Sequence, residues 1–359
     1  MKKSYKVLIL GASYGSLLGS KLLMAGHQVS LVCRGQTAQL INREGTRVRL
    51  PVKGHASPIE IDSRHYPGAL NALTPDEVIP EHYDLVALAM QEPQYSETSV
   101  KALMKRIAYS RVPCMSIMNM PPLPYLARIP GLDLSPLRAC YLDAEVWDDF
   151  EPSLMTLCSP DPQAFRPFAD QPHILQVGLP THFKVARFDE PGPNLMLAEL
   201  EESIANARMM VEGEALDLPV KLKVFDSLFV PLAKWSMLLT GNYRCILQDR
   251  VQSIQEAVQT HPQKSQEIYE WVTQLCVTLG ADPADLVPFE KYANAANGLL
   301  KPSSAARALA AGATHIERID LLIQGIAKQK GRLHASIDET VEHVQHWLSK
   351  NRETQSAHS

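Results

Sequence analysis

Apolar residues in the first half of the chain fall in short runs, separated by longer stretches where they recur every three to four positions. Lys6–Leu10 (KVLIL), Gln28–Cys33 (QVSLVC), Asp84–Met90 (DLVALAM) and Pro113–Met118 (PCMSIM) predict strands covered on both faces. Ser16–Ala25 and Glu97–Tyr109 lie between them with helical spacing. Strand–helix–strand alternation of this kind predicts an α/β fold with a parallel, doubly wound, Rossmann-type sheet. Cys140–Val146, Leu154–Cys158, Ile174–Val177 and Phe183–Phe188 read as further strands.

The pattern changes at Asp189–Asn194 (DEPGPN). Beyond it, amphipathic runs predict helices over Leu195–Glu212, Lys221–Thr240, Gln252–Leu279, Phe289–Asn297, Ser304–Lys328 and His334–Asn351. The expected organisation is a Rossmann-type domain over 1–190 and an all-helical C-terminal domain over 191–352. The tail, 353–359, lacks periodicity and is expected to be disordered.

Composition narrows the function classes. A formal net charge of −4 gives no basic excess of the kind that nucleic-acid binding needs. No uncharged apolar run approaches the ~20 residues that span a bilayer, so no membrane partner is expected. The six cysteines form no CxxC pair and stand near no histidine at ligand spacing. They read as reduced core thiols of a soluble, cytoplasmic protein without a metal site.

The candidate chemistry begins at residues 10–19, LGASYGSLLG. A strand ending at Leu10, a glycine directly after it and a helix starting near Gly15 would aim unpaired N–H groups at a phosphate. Gly11, Ala12, Ser13, Tyr14, Gly15 and Ser16 are the candidate pyrophosphate contacts, although the turn is one residue shorter than Gly-x-Gly-x-x-Gly. The second strand ends at Cys33-Arg34-Gly35, where an acid would select NAD and a basic residue NADP; Arg34 favours NADP. The alternative is a plain strand-to-helix bend with Arg34 as a solvated surface residue.

Several segments together resemble the ketopantoate reductase (2-dehydropantoate 2-reductase) family. They are the opening strand–helix–strand, YDLVALAMQEPQ, SIMNM, LAKWSMLLTGN and KPSSAARALAAGATHIE. The resemblance implies a Rossmann domain followed by a helical substrate domain, and hydride transfer from NADPH to the ketone of a small 2-oxo acid. It places Lys234 at the catalytic lysine, Asn242 and Ser303 at substrate contacts, and Asn119 and Ala144 at cofactor contacts. A lysine can protonate the alkoxide that ketone reduction creates. On a regular helix, Asn242 would lie about 80° around from Lys234.

Three positions depart from the family pattern. Gln91 replaces a lysine near the cofactor, Leu238 an asparagine, and His315 a glutamate. His315 could supply acid–base function in the glutamate's place. Glu317, two residues on, would point about 200° away if this stretch were helical. These departures question ketopantoate itself more than the reaction class. Two other readings stay open: an opine- or hydroxyacid-type dehydrogenase, and an NADP-binding sensor without catalysis. Apolar faces such as Ile319–Ile326 could serve either a homodimer or the core.

Overall fold

The computed structural model describes residues 3–358, and among them the chain forms two compact units. The first takes the residues up to Met90 together with Gln94–Tyr125 and Glu145–Asp226. The second takes Gln91–Pro93, Leu126–Ala144 and the chain from Ser227 onward.

The first unit is built on an eight-stranded sheet. In chain order its strands are β1 (Lys6–Leu10), β2 (Gln28–Val32), β5 (Leu70–Leu73), β6 (Leu85–Leu88), β7 (Cys114–Ile117), β8 (Met155–Ser159), β11 (Phe183–Ala186) and β14 (Leu222–Phe225). Their spatial order is β14-β11-β8-β7-β6-β1-β2-β5. The six strands from β5 to β8 are parallel, β11 runs antiparallel to β8, and β14 is parallel to β11. The buried run at positions 7–10 of β1 suits a strand with both faces covered. Because β2 and β6 flank β1, the winding reverses at its carboxyl end, the position where such sheets bind ligands.

A four-stranded sheet accompanies it, formed by β3 (Arg47–Leu50), β4 (Ile59–Asp62), β9 (Gln163–Phe165) and β10 (Ile174–Leu179) in the order β4-β3-β10-β9. The predicted strand at Ile174–Val177 therefore exists but belongs to this second sheet. A hairpin of β12 (Met209–Val211) and β13 (Glu214–Leu216) turns at Glu212-Gly213, both with positive φ.

The sequence and the structure differ at several elements. Pro191–Asn206 is a helix of the first unit, and the chain then returns to the main sheet as β14. The mainly helical part begins after Asp226 instead of at 191, because Leu222–Phe225 pairs beside β11. Cys140–Val146 is not a strand; 3-10 turns occupy Ser135–Cys140 and Ala144–Trp147. Pro262 divides the predicted Gln252–Leu279 helix into Ile254–Gln259 and Pro262–Leu279. The run at Ser304–Lys328 is two helices, Ser304–Ala310 and Ile319–Gln329, broken where Gly312 takes φ +91°. The tail expected to be disordered continues the last helix, Ala335–His358. All six cysteines are free thiols, and five are buried. No helix among the described residues is long and apolar enough to cross a membrane.

Candidate functional site

The turn after β1 is shaped by two glycines with different physical roles. Gly11 has φ +105°, and a Cβ there would lie 2.7 Å from the Ala89 carbonyl oxygen. Only glycine can therefore make the bend beside the end of β6. Gly15 sits inside the helix Tyr14–Met24, where a Cβ would lie 2.7 Å from Ile9 Cγ2. It allows the helix to lie close on β1, the usual task of the last glycine in a dinucleotide turn. Ala12 and Ser13 fill the shortened middle. Ser13 makes no side-chain cap bond, and no acidic residue stands in the first turn. The Ser16 hydroxyl turns inward to the Ala12 carbonyl at 2.6 Å, so among these groups the backbone N–H groups remain available to an anion.

Arg34 is exposed at the N-cap of the helix Gly35–Glu44 and makes no ion pair among the described residues. Arg166, which follows β9, joins it. Burial lowers the pKa of Arg166, Cys33 opposes this, and the charge of Arg34 lowers it slightly further. The carboxylate that feels Arg34 is Glu97. Its Oε2 caps Thr98–Ser110, accepting from the backbone N–H groups of Ser99 and Val100. Sequence reading missed Arg166, because the second sheet carries it there from a distant part of the chain. Asn119, just past the end of β7, keeps a buried Oδ1 with no hydrogen-bond partner among the described residues. A buried acceptor in that state carries a desolvation cost that a ligand donor would remove.

In the second unit, Lys234 is half-buried and opens the helix Lys234–Met237. The next five residues, Leu238–Asn242, form a π-helical turn in which the Tyr243 N–H donates to the Leu238 carbonyl at 2.9 Å. This wider turn rotates less than 100° per residue, so it reduces the 80° offset expected between Lys234 and Asn242. Gly241 makes the turn feasible: a Cβ there would lie 1.9 Å from the Tyr292 hydroxyl oxygen. That hydroxyl donates to the Met237 carbonyl at 3.1 Å.

Ser303 is buried and caps Ser304–Ala310, accepting from Ala306 N–H at 3.1 Å. Its hydroxyl proton goes to the Asn242 carbonyl at 2.6 Å, so Ser303 holds the asparagine's main chain. Asn242 and Ser303 are thus brought together.

His315 stands elsewhere in character. It is exposed in the loop between the two helices and bonded at Nδ1 to Thr314 Oγ1, and burial together with Arg352 lowers its pKa. The premise that placed Glu317 opposite it also fails, because residues 315–318 are not helical. Glu317 is buried, accepts from Glu92 N–H at 3.3 Å, and its carbonyl accepts from the Tyr243 hydroxyl beside Asn242. Arg318 and Asp320 pin the end of the loop through a two-pronged ion pair.

Gln91 is exposed and immediately precedes Glu92, and Ala144 opens the 3-10 turn Ala144–Trp147. Both belong to the second unit. Glu92 is 3% exposed, and its Oε1 accepts from Leu142 N–H at 3.0 Å. Burial raises its pKa to about 7, with Glu317 and Asp143 adding to the rise against two backbone N–H groups.

No protein-family model matches the chain, and no curated protein matches it in sequence. Solved structures match its fold. D-mandelate dehydrogenase, determined with NADH and anilino(oxo)acetate, has 14% identity and a TM-score of 0.64, covering 97% of this chain and 99% of that one. The 2-dehydropantoate 2-reductase of Methylococcus capsulatus has 13% identity and a TM-score of 0.62, covering 96% and 98%. The dimeric ketopantoate reductase of Staphylococcus aureus has 8% identity and a TM-score of 0.59, covering 96% and 99%. Over nearly its whole length, the chain shares the fold of these ketopantoate reductases and of D-mandelate dehydrogenase, at 8–14% sequence identity.

Proposed function

We propose that the protein is a divergent, cytoplasmic member of the ketopantoate reductase family, an NADP-dependent oxidoreductase that reduces the ketone of a small 2-oxo acid. The observation that carries this reading is the glycine turn at the sheet's switch point, with Arg34 exposed at the end of β2 and no acid beside it in the chain; Arg166, whose titration responds to Arg34, adds positive charge. Two guanidiniums suit a 2′-phosphate, whereas the ribose hydroxyl of NAD is met by an acid. The orphaned Asn119 Oδ1 and the cradle at Gly11 also fit a bound dinucleotide.

When bound, the nicotinamide cofactor supplies a hydride. The backbone of Gly11–Ser16 would hold the pyrophosphate at the helix N-terminus, and Asn119 would accept a hydrogen bond from the cofactor. Gln91 and Ala144 are assigned further cofactor contacts by resemblance. Lys234 Nζ would hydrogen-bond the ketone oxygen and supply the proton that the resulting alkoxide needs. The product is a 2-hydroxy acid, and solvent returns the lysine's proton. Asn242 orients the substrate, while Ser303 fixes Asn242 and acts as a positioning residue. Glu317 ties the 311–318 loop to this turn through Tyr243, a task sequence reading gave to no residue. His315 has no part in the chemistry.

Leu238 favours a second reading in which the substrate carries an apolar group, as a hydroxyacid dehydrogenase would accept; the likeness to D-mandelate dehydrogenase points the same way. NADPH oxidation against ketopantoate, phenylglyoxylate and straight-chain 2-oxo acids, with and without amines, separates these readings. Turnover only with an amine present would indicate opine chemistry. Tight NADPH binding without turnover on any acid would leave a sensor. A homodimer, as described for the Staphylococcus aureus protein, is the expected assembly, measurable by sedimentation.

A further inference from the structure

The second unit contains a cavity of about 290 Å³ lined by none of the residues assigned above. It lies where the chain leaves the Asn242 turn, among Arg244, the segment 250–264 and the face of the last helix at 336–343. Its volume falls just under the ~300 Å³ at which sites for drug-sized ligands begin, so it suits a smaller molecule.

Its charges are unevenly matched. Arg244 is half-buried and makes no ion pair among the described residues. One nitrogen, Nη1, is held by the Thr240 carbonyl at 3.2 Å and Ser265 Oγ at 2.9 Å. Ser265 is itself locked, donating to the Val258 carbonyl at 2.8 Å. The fork is therefore fixed from behind, and Nε and Nη2 bond nothing among the described residues. Arg250 lines the same cavity and makes no side-chain hydrogen bond or ion pair among the described residues, although its charge acts on Glu256. Of the two acids on the wall, Glu256 is spent on its capping box with Ser253, and Glu339 pairs with Lys264 at 3.5 Å. His261 and His343 add imidazole donors, while Ile246, Leu247 and Ala257 supply an apolar wall.

We propose that this cavity is a second ligand site, taking a small organic dianion whose phosphate or carboxylate groups lie against Arg244 and Arg250. A planar guanidinium held rigidly from one side presents two parallel donors at little further entropic cost, the arrangement that favours bidentate oxyanion binding. Burial lowers the pKa of Arg244, an effect that Tyr292 and Glu339 only partly oppose, and an anion would offset more of that desolvation. The ligand's apolar stub would rest on Ile246 and Leu247.

The test measures thermal unfolding of the full-length, NADPH-saturated protein with inorganic phosphate or succinate, against sodium chloride at equal ionic strength. Saturation removes the dinucleotide turn as a competing anion site, and Arg34→Ala serves as a second control for it. Arg250 is exposed and bonds only through its backbone carbonyl, which accepts from Leu247 N–H at 3.0 Å and is kept in the variant, so Arg250→Glu should leave the fold intact. The expected result is a dianion-specific rise in the transition, with an apparent Kd at least tenfold weaker in Arg250→Glu and unchanged in Arg34→Ala. The two dianions distinguish phosphate from carboxylate ligands. No response beyond chloride would overturn the inference, as would a response lost in Arg34→Ala but kept in Arg250→Glu. Neither outcome bears on the proposed reductase, which is tested by turnover.

Discussion

Glu92→Gln should make the helical unit more stable, and increasingly so as pH rises. The wild-type carboxyl is 3% exposed, and its pKa is raised from an ordinary 4.5 to about 7, first by burial and then by Glu317 and Asp143. An acid with a raised folded pKa binds its proton more tightly in the folded state. Its contribution is therefore complete below pH 4.5 and is lost as pH rises toward 7. At ~1.4 kcal/mol per unit, the whole loss is on the order of 3 kcal/mol, with roughly 2 kcal/mol of it falling between pH 5.5 and 8.5. Glutamine keeps an oxygen for Leu142 N–H and never ionises. The gap between variant and wild type should thus widen by about 2 kcal/mol over that range. Urea unfolding followed by tryptophan fluorescence reads this, since Trp235, Trp271 and Trp347 all lie in the second unit. A gap independent of pH, or one that narrows as pH rises, would refute the assignment of a carboxyl that is protonated near neutrality.

Three further outcomes follow from the geometry. Gly15→Ala should destabilise the first unit by roughly 1–3 kcal/mol, because the clash with Ile9 Cγ2 outweighs the ~1 kcal/mol of helix propensity that alanine gains; a stabilised variant in urea melts would contradict the close helix–strand contact. Arg34→Ala or Arg166→Ala should each weaken NADPH binding roughly 10- to 100-fold, for the loss of a charged hydrogen bond of ~1.5–3 kcal/mol, with NADH affinity unchanged. Fluorescence titration checks this, and equal losses for both nucleotides would remove the 2′-phosphate from the site. Ser303→Ala should cost about 1 kcal/mol of stability through its cap and also raise KM by releasing the Asn242 carbonyl; an unchanged KM would reduce Ser303 to a helix cap.

The opening of the chain is legible from sequence because one physical rule governs each residue there. KVLIL is buried on both faces, Gly11 alone tolerates its φ, and β2 delivers Arg34 by simple spacing. Legibility fails where tertiary pairing decides. Leu222–Phe225 sits in an apolar stretch compatible with either a helix or a strand, and only the neighbouring β11 selects the strand. Arg166 reaches Arg34 through a sheet whose strands are far apart in the chain, so no local pattern announces it. The π turn at Leu238–Asn242 depends on Tyr292 packing on Gly241, which no periodicity within the segment records. Around His315, a continuous helix was the natural expectation from the alanine-rich run. The break at Gly312 is what exposes His315 and buries Glu317 instead.

Reduction of a 2-oxo acid by NADPH, with Lys234 as proton donor, is tested by single turnover with NADPH carrying deuterium at the transferred C4 position, in wild type and in Lys234→Ala. The wild type should yield a 2-hydroxy acid labelled at C2, and the variant should still bind NADPH but form this product at least a hundredfold more slowly. An unlabelled product, or a variant that keeps the wild-type rate, would contradict this assignment.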